Sequence, residues 1–280
     1  MADGAYRWQG CAPEPDPARV EALDAAFDGT QPHAFSEPVR AAARERLERA
    51  LAEVRTAALG GAAARLAEAR QTLDALRPAE LEPRRGLAGL FDSRRRRLRR
   101  FRDSYGRAAA ALSEAAADLA ERLEGVARRS AVLDGLWSGL RDAVVDLDAH
   151  RLVAARRLAD RPPPEGEPHP LDADLAVLDA CRASVLAALP LLRSVQNAEA
   201  RAAARLQGCA DGVAAWRDDW KDALGLAGRR PKRVRPDPER LLRLRDDLRG
   251  RIDGALAELA AAGARRGAAE RRLSELSATS

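Results

Sequence analysis

Between Phe91 and Leu158 apolar residues return every three and four positions, and this repeat constrains the fold of the 280-residue chain more than any other feature. With Phe91 set as position d, the d series reads Phe91, Leu98, Tyr105, Leu112, Leu119, Val126, Leu133, Leu140 and Leu147. The matching a series reads Ala109, Ala116, Leu123, Ser130, Trp137, Val144, Arg151 and Leu158. A strand of period two would scatter these residues over both faces, whereas a helix gathers them on one. A helix of about 65 residues is roughly 100 Å long. It cannot cover its own apolar stripe, so other helices must do so.

The rest of the chain supplies them. Ser36 is a plausible N-cap with Pro38 in the first turn. Val39, Ala43, Leu47, Leu51, Val54, Ala58, Leu66, Leu73 and Leu76 then follow at helical spacing, up to Pro78. Gly60-Gly61 weakens or kinks that helix. A third long helix starts near Asp172. Its seam reads Leu175, Leu178, Val185, Leu189, Leu192, Gln196, Glu199, Ala203, Leu206, Ala210, Val213, Trp220 and Leu224. Pro190 is expected to kink it, and Gly225 and Gly228 to stop it. A fourth helix follows Pro238, with Leu241, Leu248, Ile252, Leu256 and Leu259, and continues weakly to Leu273 and Leu276. The Pro/Gly-rich stretches 78–90, 161–170 and 228–237 read as loops. Hydrophobic residues make up 46% of the chain and aromatics 4%, so Ala, Leu and Val must do most of the packing. The pattern predicts an all-α fold: an elongated antiparallel bundle of about four long helices with coiled-coil-like packing, over about 37–77, 91–160, 172–227 and 238–277. Residues 1–35 read as a tail with room for a short helix over 17–27, and 36–277 as a single bundle.

The sequence holds no recognisable catalytic constellation. There is no phosphate-binding Gly-x-x-x-x-Gly-Lys-Ser/Thr loop, no Gly-x-Gly-x-x-Gly, no His-Glu-x-x-His and no Gly-x-Ser-x-Gly. His33 and His169 fall in predicted loops, and His150 on a helix, at its surface or rim. The three cysteines are Cys11, Cys181 and Cys209, with no Cys-x-x-Cys. Cys181 and Cys209 are about 40 Å apart along one predicted helix, against the ~7 Å that a disulfide tolerates. Each reads as a small packing residue. No cofactor or metal is expected. The N-terminal stretch lacks the apolar core of a signal peptide, and uninterrupted apolar runs are short. The expectation is a protein without a transmembrane segment, cytoplasmic, with a peripheral place at the inner membrane as the alternative.

Two features mark candidate interaction sites. The first is the run Arg94, Arg95, Arg96, Arg97, Arg99, Arg100 and Arg102, which surrounds a helix start except along the Phe91/Leu98/Phe101/Tyr105 stripe. Cations at a helix N-terminus oppose the macrodipole, so they are not there for helix stability. With Arg84, Arg85, Arg229, Arg230, Lys232, Arg233 and Arg235 they would form a positive end, suited to nucleic-acid phosphates or an anionic membrane surface. The alternative is a solvated helix start, paired with acidic neighbours. Of 48 basic residues only Lys221 and Lys232 are lysine, which a GC-rich genome or phosphate recognition would each produce. The second feature is Gln196, Asn197 and Glu199, which interrupt an apolar seam. A buried polar layer there would set helix register, or serve as a contact for a protein partner. Trp216 and Trp220, one turn apart, read as core anchors near the bundle ends.

Several of these elements occur in a particular order. Leu76-Arg77-Pro78 is followed by Gly89-Leu90-Phe91, a basic stretch, Phe101-x-x-x-Tyr105, Pro190, Gln196-Asn197, Trp216 and Ala223-Leu224-Gly225-Leu226. This order resembles the TelA family of toxic-anion (tellurite) resistance proteins over roughly Leu73 to Leu226. The chain is similar to a divergent, shortened member, with Gly208-Cys209-Ala210-Asp211-Gly212 where the family often has a Thr-rich stretch. The resemblance implies a cytoplasmic, non-enzymatic helical scaffold linked to tellurite or other toxic-stress resistance, acting through protein partners.

Overall fold

The computed structural model describes residues 13–28, 32–82, 93–160, 169–228, 231–232 and 234–279. Cys11, Arg84, Arg85, Gly89, Leu90, Phe91, Arg229, Arg230 and Arg233 lie outside the described residues, as does most of the proline-rich stretch before Pro170. Among the described residues the fold is all-α, with no strand: six α-helices packed extensively on one another. They are α1 (Pro17–Ala25), α2 (Pro32–Arg55), α3 (Ala62–Asp74), α4 (Arg94–Asp160), α5 (Pro170–Ala223) and α6 (Pro238–Thr279), with one 3-10 turn at Pro78–Leu81.

Local chemistry sets the boundaries, and some differ from the sequence expectation. The helix expected from Ser36 begins one turn earlier, at Pro32, and Ser36 is buried within it. The earlier start lets Phe35 pack edge-on against Phe27 (5.2 Å between centroids) and against His150 (4.9 Å). The single helix expected over 37–77 is two helices. Gly61 adopts φ +79°, a left-handed conformation that interrupts the helical backbone ahead of α3. α5 begins before Asp172 because His169 caps it. The Leu171 amide donates to His169 Nδ1 (3.1 Å), and the His169 amide donates to the Asp172 carboxylate (3.1 Å). Pro190 is exposed within an α5 that runs unbroken through it. Asp237 caps α6 by accepting from the Glu239 and Arg240 amides.

The chain forms two compact units. One comprises Met1–Ala57, Arg129–Asn197 and Gly263–Ser280, and the other Ala58–Arg128 and Ala198–Ala262. The three long helices α4, α5 and α6 supply residues to both. In the first unit α2 contributes Val39, Ala43, Leu47 and Val54 to a core shared with Leu140 and Leu147 of α4, Leu178, Val185 and Leu192 of α5, and Leu273 of α6. Ion pairs Arg182–Asp148 (2.6 Å) and Arg193–Asp134 set α4 and α5 antiparallel there. In the second unit α3 contributes Ala62, Leu66, Ala69 and Leu73 to a core shared with Leu112 and Leu119 of α4, Leu206 and Val213 of α5, and Leu248 and Ile252 of α6. Arg70–Asp253 (2.9 Å) and Arg201–Glu258 (3.2 Å) join α6 to α3 and α5.

The buried face of α4 is broader than a two-position seam. The d residues from Tyr105 to Leu147 are buried, but so are Ala108, Ala115, Ala143 and His150, three places after a d residue. Most of the a series is only half-buried. A helix covered by more than one neighbour buries such a wide stripe. On α5 the core positions are Cys181, Ala188, Val195, Ala202, Cys209 and Trp216, alternating with Leu178, Val185, Leu192, Glu199, Leu206, Val213 and Trp220. Val195, rather than Gln196, therefore occupies the core.

Within Leu171–Ala223 lies an 18-residue window of mean hydropathy 1.8, apolar enough by length and composition to cross a membrane. A core helix meets the same test; 39% of the window is buried, including Leu178, Cys181, Val185 and Leu192 packed against other helices.

Candidate functional site

The residues Phe101, Tyr105, Trp216 and Trp220 meet in one aromatic cluster of the second unit. Phe101 stacks on Trp220 (5.8 Å) and Tyr105 on Trp220 (5.8 Å). Trp216 lies 4.9 Å from Trp220 and 5.6 Å from Tyr105. The Tyr105 hydroxyl donates to the Arg217 carbonyl (2.5 Å), and burial pushes its pKa up to about 12. The cluster fixes the start of α4 against the end of α5.

That end is built by Ala223-Leu224-Gly225-Leu226. Gly225 adopts φ +68°, its amide donates to the Asp222 carbonyl (2.8 Å), and the Leu226 amide donates to the Lys221 carbonyl (2.7 Å). This is a Schellman cap, which satisfies carbonyls that the last helical turn leaves open. A Cβ on Gly225 would lie 2.8 Å from Val234 Cγ1, so the loop that follows packs directly on the cap. Arg102 of α4 closes the arrangement. Its guanidinium donates to the Leu224 carbonyl through Nε (2.9 Å) and Nη2 (2.5 Å), and to the Lys232 carbonyl (2.8 Å). Arg94 donates to the Val234 carbonyl (3.3 Å), and the Lys232 amide donates to the Gly225 carbonyl (2.8 Å).

Between the start of α4 and this loop lies a cleft of about 1170 Å³. Six cations line it: Arg94, Arg95, Arg99, Arg102, Lys232 and Arg235. Among the described residues Asp103 is its one acidic residue. Leu98, Leu226, Pro231 and Val234 give it an apolar floor. Arg96 and Arg100 are exposed on the same helix but do not line the cleft, and Arg97 is half-buried. Among the described residues, the side chains of Arg95, Arg96, Arg99 and Arg100 make no ion pair. The cleft thus concentrates positive charge, six cations against Asp103 among the described residues, on a helix N-terminus that itself favours anions.

The polar residues of α5 do not form one site. Gln196, in the first unit, donates to Ser130 Oγ (2.8 Å) and to the Ser130 carbonyl (3.2 Å), and accepts from Arg193 (2.6 Å). Arg193 lies over the Trp137 ring (4.4 Å) and pairs with Asp134, which holds that carboxyl below its ordinary range. Asn197 is exposed. Glu199, in the second unit, is 6% exposed and sits within the core stripe. Pro190 lies on the opposite, exposed side of α5.

Cys181, Cys209 and His150 are buried. Cys181 and Cys209 are core residues of different units. Burial raises both thiols, Cys209 to about 11, and the Cys209 thiol donates to the Arg251 carbonyl (3.2 Å). A thiol held protonated in this way is a poor nucleophile. His150, expected at a helix surface or rim, is buried. Its Nδ1 lies 2.8 Å from the Asp146 carbonyl, because Phe35 and α1 cover that part of α4. Among the described residues no group of three or more His, Cys, Asp or Glu is arranged to hold a metal ion.

Sequence reasoning missed Arg102 as the residue that fastens the loop, since nothing local distinguishes it from the other arginines. Comparison with protein-family models, curated proteins and solved structures gives no match.

Proposed function

We propose that this protein is a non-enzymatic helical scaffold that presents its Arg-rich end to a polyanion. The sequence resemblance supplies the setting: resistance to tellurite or other toxic anions and envelope stress, with a protein partner held elsewhere on the molecule. An elongated antiparallel bundle is the architecture that goes with this reading. The observation that carries it is the cleft, where Arg95 and Arg99 have no carboxylate partner among the described residues and Lys232 and Arg235 join them from a segment more than 120 residues away in sequence. Six cations held together repel one another, a cost that a bound polyanion reverses.

A second reading makes the same end the whole function, as a nucleic-acid or anionic-membrane-surface binder. Among the described residues the cleft lining has no aromatic on which bases would stack, which favours phosphate over base recognition.

Two experiments test the proposal. Deleting the gene raises tellurite sensitivity, and a Cys181→Ala/Cys209→Ala copy restores resistance; loss of resistance with that copy would move the chemistry to the thiols. Binding to duplex DNA or to anionic vesicles weakens steeply as salt rises. Absence of binding to both at low salt would remove the polyanion from the account.

A further inference from the structure

The cleft's shape and the division of labour among its arginines say more about the ligand than its charge alone. Arg94 and Arg102 are committed to backbone carbonyls and hold the wall that carries Pro231, Lys232, Val234 and Arg235. Arg95 and Arg99 stand one turn apart on α4 and face the cleft, as Lys232 and Arg235 do from the loop. An i, i+4 pair of like charges disfavours the helix by a few tenths of a kcal/mol. Here the pair also opposes the α4 macrodipole. Nothing in the packing requires this, since neither side chain has an ion-pair partner among the described residues.

The site is concave, whereas a bilayer surface presents a plane. At about 1170 Å³ it exceeds the room that a single phosphate needs and compares with sites for whole small ligands. Its lining carries several guanidinium groups, whose forked donors match phosphate oxygens two at a time. Its apolar lining of Leu98, Leu226, Pro231 and Val234 accepts an uncharged body, and among the described residues offers no ring for a base.

We infer that the Arg95/Arg99/Lys232/Arg235 cleft is a binding site for a compact ligand carrying two or more phosphate groups. Such phosphates come either from a soluble polyphosphate chain or from a multiply phosphorylated lipid headgroup. The inference rests on reading this end as polyanion-facing. Arg95 and Arg99 grip the phosphates from the helix, and Lys232 and Arg235 from the loop. Because the loop is tied to the α5 cap, a ligand bridging the two walls also clamps α4 to the end of α5.

The test is calorimetric binding of inorganic tripolyphosphate to the full chain at low salt, with three variants. Arg95→Gln/Arg99→Gln weakens binding tenfold or more. Lys232→Gln/Arg235→Gln does the same from the opposite wall. Arg96→Gln/Arg100→Gln removes the same charge from the same helix outside the cleft and changes affinity less than about twofold, the shift expected for screened exposed charges. Thermal melts of each variant without ligand establish that all three fold. Vesicles carrying a bisphosphorylated inositol lipid, compared with phosphatidylserine vesicles of equal charge, identify the source: the same variant pattern on the former alone assigns the headgroup. Equal losses in the cleft and control variants would overturn the site, as would an oligonucleotide of equal charge binding tenfold tighter than tripolyphosphate. If tripolyphosphate and the bisphosphorylated lipid fail while duplex DNA still binds in a salt-dependent way, this inference falls and the broader polyanion reading stands. If nothing binds, both fall.

Discussion

Trp220 is the residue on which the second unit turns. Fully buried, it meets Phe101, Tyr105 and Trp216 at once. Trp220→Ala leaves a cavity that its neighbours cannot close, and the expected loss is about 3–5 kcal/mol in chemical unfolding. Loss of binding at the Arg cleft should accompany it, because the cluster sets the α4 start against the α5 end. His150 governs a pH response in the first unit. Burial holds its pKa below the ordinary 6.5, and Arg19 pushes it the same way, while the hydrogen bond to the Asp146 carbonyl opposes them. A folded pKa below the unfolded one means that the unfolded chain takes up the proton first. The His150 contribution is therefore complete above the unfolded value and is lost as pH falls through the folded one. Thermal midpoints measured from about pH 7.5 down to about pH 5 should decline in the native protein and decline less in His150→Gln. Equal slopes in the two proteins would assign the acid response to other groups.

The elements explain what was readable from the sequence. The long repeat from Leu98 to Leu158 specifies α4 because seven-residue spacing over that length fits no other structure. On α5 the series Leu178, Val185, Leu192, Glu199, Leu206, Val213 and Trp220 was readable and is buried, while its companion series lay one residue off. Around Gln196 the sequence is so rich in alanine that two frames one residue apart are both apolar, and only packing selects Val195 and Ala202 over Gln196 and Ala203. The break between α2 and α3 was visible as Gly60-Gly61 but not as a full stop, since a glycine pair is equally compatible with a kinked helix. The Ala-Leu-Gly-Leu ending is a stronger signal once its physics is clear: it is a helix stop that needs a left-handed residue. Gly225→Ala should cost about 1–2 kcal/mol for the positive φ alone, and more because the new Cβ meets Val234. A thermal melt checks the loss. Tripolyphosphate binding should weaken as well, since the loop carrying Lys232 and Arg235 rests on that cap. A Gly225→Ala protein as stable as the native one would mean that the turn is not held as described.

On the scale of the whole molecule, the described residues spend their apolar side chains mainly on two helical cores and bury Cys181, Cys209 and His150. Cys181 and Cys209 should resist thiol reagents in the folded protein and react on unfolding; fast labelling of either under native conditions would contradict their placement in the core. What the molecule presents outward, unpaired and in one place, is guanidinium. The charge run on α4 was legible from sequence, but its counterpart was not secure, because Lys232 and Arg235 arrive through long-range packing that no local pattern encodes. The most direct measurement is the salt dependence of duplex DNA binding for the native chain and for Arg95→Gln/Arg99→Gln. Each phosphate contact contributes about 0.9 to the slope of log K against log salt. The account predicts a slope shallower by about 1.8 in the double variant, with Arg96→Gln/Arg100→Gln close to native. An unchanged slope in Arg95→Gln/Arg99→Gln would contradict the claim that this cleft is where the protein meets its polyanion.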